Sequence, residues 1–265
     1  MHFKRWLTGI IAVPALIFII GPGPGWLFYA LIVFASMAGL FEFFSITASG
    51  MPSALKLIGF VCAYALLHLI ARGPFFMLLP FFSLFAVILL AVYLFAYPAR
   101  RHQAVEDIGK MLLGLVYICL PLSLLIFISK HPRGDLWIFF LLCVTFFCDS
   151  FAFYAGRSLG RHKLYPSISP GKTWEGALGG LLGSLLGACL FALFFPIVRI
   201  NLKFMALAAA LSLAGQIGDL AESMLKRNYG VKDSGKILPG HGGILDRVDS
   251  LLFSIPILYL FLSWS

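Results

Sequence analysis

The sequence predicts an all-α, polytopic integral membrane protein with about nine transmembrane helices. Three observations predict it. Of 265 residues, 61% are hydrophobic and only 12% charged, where a soluble domain carries about 25% charged residues. Mean hydropathy is +0.97. The apolar runs are continuous rather than alternating, the pattern of spanning helices and not of barrel strands.

The uncharged runs place the helices in order. A span needs about 20 apolar residues to cross the hydrocarbon. From Arg5 to Glu42 the chain carries no formal charge for 36 residues. GPGPG at 21–25 breaks that run, which predicts a helical hairpin with a short first arm; a re-entrant or interfacial helix is the alternative for that arm. A span over 57–71 follows. Arg72 to Arg100 then encloses 27 uncharged residues and Lys110 to Lys130 encloses 19. Residues 136–156 form the next run, Glu175 to Arg199 encloses 23, and 204–218 and 250–265 complete the nine. Lys4 and Arg5 before an apolar run imitate a signal peptide, but the second apolar arm argues against cleavage. Residues 1–135 hold the N-terminal membrane helices. Residues 136–265 hold the C-terminal helices and the polar loops, within one continuous membrane domain.

Charge sets the expected orientation. With nine spans and a cytoplasmic N-terminus, 15 of the 20 Lys and Arg residues fall on the cytoplasmic side, as the positive-inside rule requires. The rich loops near 157–175 and 219–249 then face the cytoplasm from a multi-pass position in the cell's inner (plasma) membrane. The net charge of +9 suits anionic membrane lipids as partners. No aromatic-and-basic module suggests nucleic acid. The five cysteines all lie in apolar runs without metal-ligand spacing, and read as small buried hydrophobes.

Chemistry concentrates toward the C-terminus. Seven of eleven acids are Asp149, Glu175, Asp219, Glu222, Asp233, Asp246 and Asp249. An acid at a span's end is costly without a partner, so each is a functional candidate. If the helix from Phe204 continues, Asp219, Glu222, Ser223, Lys226 and Arg227 share a face. A plain solvated face with Glu222–Lys226 pairing is the bland reading of the same spacing. In KDSGKILPGHGGILDRVDS, 232–250, Pro239, Gly240, Gly242 and Gly243 make a permissive turn. Asp246 and Asp249 stand three apart in the first turns of the last helix, where backbone donors also face anions. Carboxylates on two helices with bases nearby are the components of magnesium-assisted polyphosphate chemistry. GKT at 171–173 is not a P-loop, because the position five before Gly171 is Pro166 and no strand is expected before it. Lys172 and Thr173 remain phosphate-binding candidates, with a helix start expected after Pro170.

The run SMLKRNYGVKDSGKILPGHGGILDRVD, 223–249, resembles the signature of the phosphatidate cytidylyltransferases, the CDP-diacylglycerol synthases. Ser223, Lys226, Arg227, Lys232, Asp233, Gly235, Pro239, His241, Gly242, Gly243, Asp246, Arg247 and Asp249 carry it, and SPGKTWEG at 169–176 with Asp149 and Ser150 adds to it. The resemblance implies cytidylyl transfer from CTP to phosphatidate in phospholipid synthesis, giving CDP-diacylglycerol and pyrophosphate. It implies Mg2+ dependence, K+ as a possible second cation, and a homodimer. Asp219, Asp246, Lys226 and Arg227 become the catalytic candidates. Ser223, Lys172, Thr173, Lys232, His241, Gly242, Gly243 and Arg247 become substrate contacts. Asp219, Asp246, Asp249, Asp149 and Glu222 become metal ligands. Two other readings stand beside it: a CTP-dependent lipid-alcohol kinase, and an ion or anion transporter built on the membrane acids. A membrane scaffold leaves the density of charge in 219–249 without a purpose.

Overall fold

The computed structural model describes residues 12–100, 103–195, 197, 199–235, 237 and 242–264. Helix α1 covers 12–20, and the Gly-Pro turn leads into α2, Gly25–Thr47. Helices α3, Ser53–Arg72, and α4, Leu78–Arg100, follow, joined by a single 3-10 turn. Helix α5, Ala104–Gly114, runs through a π turn, Leu115–Cys119, into α6, Leu120–Lys130. Helix α7 is Gly134–Leu159. A hairpin of β1, Lys163–Tyr165, and β2, Ser169–Thr173, leads to α8, Trp174–Phe194. Helices α9, Leu202–Asn228, and α10, Leu245–Trp264, close the chain.

The all-α membrane architecture is as expected, but the span count is corrected. Among the described residues seven helices are long and apolar enough to cross a membrane. They are α2, α3, α4, the continuous α5–α6 helix, α7, α8 and α9. The expected first arm reaches into residues 1–11, outside the described residues, and its described part, 12–20, rises only about 14 Å. The expected last span is α10. Its first turns carry Asp246, Arg247 and Asp249, and Pro256 sits inside it. The uncharged remainder, 250–264, covers only about 22 Å. Large apolar side chains such as Leu79, Phe95 and Leu193 point outward from the spans, which in a bilayer is the favourable direction.

Small residues decide the closest packing. Gly176, Gly180, Gly183 and Gly187 recur at three- and four-residue steps along one face of α8. A Cβ at Gly180, Gly183 or Gly187 would press into Cys148, Phe151 or Phe147 of α7. Removing side chains lets the two backbones approach, the device of glycine-rich helix pairs in membranes. Gly215 and Gly218 do the same for α9 against Ser250, Asp249 and Phe253 of α10. These contacts carry Asp149, Asp219 and Asp249 on helices that approach closely. Cys119 and Cys148 are buried and the other three cysteines partly so, all as free thiols.

The hairpin corrects one expectation, that no strand precedes GKT. Residues 169–173 form a strand, with Lys163 opposite Thr173 and Tyr165 opposite Ser169, and the helix expected after Pro170 starts at Trp174. Proline is tolerated here because a two-stranded ribbon is all edge. A strand does precede GKT, but Gly171, Lys172 and Thr173 lie within β2 itself. They form no phosphate-wrapping loop.

Candidate active site

Two clusters of charge meet around α9. The first is open. Asp219, at the start of the last three turns of α9, takes the Lys172 ammonium from β2 at 2.7 Å, and both are partly exposed. They line a cavity of about 480 Å³ between α7, the hairpin, α8 and α9, together with Asp149, Arg157, Thr173 and Gln216. Ala152, Phe153 and Leu164 supply its apolar wall. Thr173 is buried, and its hydroxyl accepts the Gly176 N–H at 3.0 Å as the N-cap of α8. Across the hairpin's mouth Glu175 accepts from the His162 main chain, and its carboxylate lies 2.6 Å from His162 Nδ1. That contact ties the hairpin's start to the helix that follows it.

The second cluster is closed. The Lys226 ammonium sits between Glu222, one turn back on α9, and Asp246 Oδ1 at 2.6 Å. Glu222 is 1% exposed, Lys226 12% and Asp246 11%. Asp246 Oδ2 accepts from the Ser234 N–H at 3.0 Å, the Ser234 hydroxyl at 2.9 Å and the Gly243 N–H at 2.9 Å. The loop can fold this way because Gly242 adopts φ +82°, a left-handed conformation open to glycine.

One member of this cluster was not singled out from the sequence. Glu42 of α2 is 1% exposed. Its carboxylate accepts from the N–H groups of Ile244 and Leu245 at 3.1 and 2.8 Å, and lies 3.1 Å from the Ser234 hydroxyl. The signal was in the sequence: Glu42 ends the longest uncharged run. Its partners, some 200 residues away, were not.

The other candidates are spread around these two clusters. The Arg227 Nε donates to the Ile168 carbonyl at 3.3 Å and its Nη1 to the Val231 carbonyl at 3.2 Å. The arginine thus ties α9 to the hairpin and to the following loop. Ser223 is half-buried, and Lys232 and Asp233 are exposed. Arg247 is exposed at the start of α10, and its charge acts on Asp149. Asp249 Oδ1 accepts from the Ser250 N–H at 2.7 Å. His241 and Pro239 lie outside the described residues.

The expected metal donors divide between the clusters. The charges of Asp149, Asp219 and Asp249 act on one another. Glu222 and Asp246 instead share Lys226. Among the described residues no group of three or more His, Cys, Asp or Glu side chains is placed to hold a metal ion. Magnesium commonly needs only one or two carboxylates when substrate phosphates complete its shell. Asp149 and Asp219 on one cavity wall are of the right donor chemistry for that arrangement.

Comparison with known proteins bears on what this geometry serves. The profile of the Cytidylyltransferase family matches residues 3–265. The chain belongs to the cytidylyltransferase family. It is 36% identical to the phosphatidate cytidylyltransferase of Bacillus subtilis (strain 168), over 98% of this chain and 97% of that one. It is 33% identical to the phosphatidate cytidylyltransferase of Staphylococcus aureus (strain COL), over 97% of this chain and 98% of that one. The Staphylococcus epidermidis (strain ATCC 12228 / FDA PCI 1200) protein of the same name is 34% identical over the same shares. The family match thus covers the N-terminal helices as well as the motif-bearing C-terminal half. It includes α2, and with it Glu42.

Proposed function

We propose that this protein transfers the cytidylyl group of CTP to phosphatidate, forming CDP-diacylglycerol and pyrophosphate. The near full-length likeness to phosphatidate cytidylyltransferases carries the reading, and the charged cavity at the end of apolar helices supports it. A phosphate oxygen of phosphatidate attacks the α-phosphorus of CTP, and the bond to the β-phosphate's bridging oxygen breaks. The phosphate monoester is already ionised near neutral pH, so the step requires no strong base. Lys172 and Arg247 meet phosphate oxygens at the cavity, where fixed positive charge stabilises the charge that shifts onto pyrophosphate. Lys226 and Asp246 hold the α9–α10 junction, and Arg227 holds the hairpin that carries Lys172. Asp149 and Asp219, with Asp249 behind them, are the donors for Mg2+. The bound ion supplies charge neutralisation for the nucleotide and its leaving group. K+ as a second cation belongs to the same proposal. The acyl chains stay in lipid beside the exposed apolar faces, and anionic lipids meet the basic loops.

Two further elements complete the reading. The protein works as a homodimer, and the loops at 157–175 and 219–249 face the cytoplasm from the cell's inner membrane, where CTP is available. The basic-residue bias supports the orientation. Impermeant thiol reagent added outside intact cells should leave single cysteines in those loops unlabelled.

Purified protein in detergent, given phosphatidate, Mg2+ and CTP labelled at the α-phosphorus, should yield labelled lipid and one pyrophosphate per lipid. In a parallel reaction with a lipid alcohol and CTP labelled at the γ-phosphorus, label entering lipid would instead identify a lipid-alcohol kinase. Pyrophosphate without labelled lipid would sink the assignment.

A further inference from the structure

We propose that Glu42 is a positioning residue for the reaction: it sets the geometry of Asp246 through the hydroxyl of Ser234. The inference rests on the cytidylyltransferase reading above. It adds to it a residue from the N-terminal half of the chain.

Three observations converge on Glu42. First, its carboxylate is nearly inaccessible inside a long apolar helix. A buried charge there is costly unless strongly hydrogen-bonded, and its partners are the Ile244 and Leu245 N–H groups. These belong to the entrance of α10, where unpaired backbone donors favour an anion. Second, the loop is shaped around it. A Cβ at Gly235 or at Gly243 would run into the Glu42 carboxylate. Third, the Ser234 hydroxyl lies 3.1 Å from Glu42 Oε2 and 2.9 Å from Asp246 Oδ2.

A hydroxyl has one hydrogen to donate. It serves one of those two carboxylates at a time. When it points to Asp246, Oδ2 of that residue receives three donors, counting the Ser234 and Gly243 N–H groups. When it turns to Glu42, Asp246 regains a lone pair without any movement of the loop. Glu42 still keeps its two backbone donors in either state. Glu42 therefore supplies the alternative acceptor that lets the Ser234 hydroxyl turn from Asp246 and back, and so sets how firmly Asp246 holds the α9–α10 junction beside the site. A side chain that merely filled space, or merely capped α10, would not act through Ser234.

The test uses the purified full-length protein and four variants of one cycle: parent, Glu42→Gln, Ser234→Ala and the double variant. Each is measured for kcat, KM for CTP, and thermal unfolding. Gln keeps the shape but removes the charge. Glu42→Gln and Ser234→Ala should each lower kcat about 10- to 100-fold, the usual cost of losing a partner of a site carboxylate. The double variant should be no slower than the worse single variant. Losses in kcat that multiply in the double variant would show that Glu42 acts independently of Ser234 and overturn the proposal. So would a Glu42→Gln protein with kcat within twofold of the parent. If Glu42→Gln yields no folded protein, Ser234→Ala decides, and a parental kcat there overturns it. A parent that makes no CDP-lipid defeats the functional reading itself, and the Glu42 proposal with it. An active parent with indifferent variants defeats only the Glu42 proposal.

Discussion

The two carboxylates Asp219 and Asp246 are 27 residues apart, both face a lysine, and live in opposite surroundings. Asp219 meets Lys172 at the wall of a cavity, with a 37% exposed side chain. Asp246 meets Lys226 in a closed cluster, with an 11% exposed side chain and three further donors. The same acid–base chemistry therefore does two jobs. At the cavity, water screens the pair, and holding it together contributes little, about 0–1 kcal/mol. Its members stay available to a phosphate or a cation. In the closed cluster each charge depends on the others, because removing one leaves its partner buried without compensation. Exposure, and not residue type, separates a group that binds from a group that builds.

The largest expected effect sharpens this contrast. Asp219→Asn and Asp246→Asn should each lower kcat by at least about 100-fold, the scale of losing one electrostatic contact in a preorganised site. Their stabilities should differ. Asp246→Asn breaks a buried pair and should destabilise the protein by about 3–5 kcal/mol. Asp219→Asn should unfold within a few degrees of the parent. Turnover and thermal unfolding measured on the same preparations check both. Equal destabilisation by the two variants would erase the distinction, and parental turnover in both would move the site elsewhere.

The lysines should divide in the same way, less severely. Lys172→Ala removes a phosphate contact from the cavity wall. It should raise KM for CTP roughly tenfold, the scale of one charged hydrogen bond, and leave unfolding unchanged. Lys226→Ala leaves Glu222 and Asp246 buried together and should yield little folded protein. A well-folded Lys226→Ala enzyme with a raised KM alone would place Lys226 in the open cluster instead.

Arg227 sits between the two regions. Its guanidinium holds two main-chain carbonyls, one in the hairpin that carries Lys172. Lysine lacks the fork and can replace only one of these contacts. Arg227→Lys should therefore cost about three- to tenfold in kcat/KM, the worth of one hydrogen bond. The effect should be accompanied by faster proteolysis within 163–173. Unchanged proteolysis with a large loss of kcat would point to direct phosphate contact.

What the sequence revealed follows from the range of the forces involved. Span-length apolar runs are local and read directly, as with 174–194. The shared face of Asp219, Glu222 and Lys226 is also local, set by helix periodicity. The ends were harder. Residues 250–265 read as a span, yet the charges of Asp246, Arg247 and Asp249 just before them leave the helix an apolar length of only about 22 Å. The hairpin at 163–173 is too short, and too rich in Pro and Gly, for alternation to show. Glu42 was the least legible. It reads as the polar edge of a span, and only folding brings it to Ser234 and the start of α10. Thr173, a phosphate-binding candidate because it follows Lys172, has a further part that spacing did not show: its hydroxyl oxygen accepts the Gly176 N–H at the start of α8.

Thr173 gives the smallest expected effect and the finest test of the contrast between binding and building. It lines the cavity, yet it is buried and its hydroxyl accepts the Gly176 N–H. A cap of this kind contributes about 1 kcal/mol. Thr173→Ala should lower the unfolding temperature slightly and leave KM for CTP unchanged. Thr173→Ser keeps the oxygen and should restore the stability. The methyl group has its own part: a Cβ at Gly160 would meet Thr173 Cγ2, so serine should leave a small shortfall from lost packing. If the hydroxyl binds phosphate instead, alanine would raise KM for CTP at constant stability, and serine would rescue binding. Steady-state kinetics with varied CTP, beside thermal unfolding of the same two variants, separates these outcomes. The sign of the result assigns this one side chain on the cavity wall to the helix start or to the substrate.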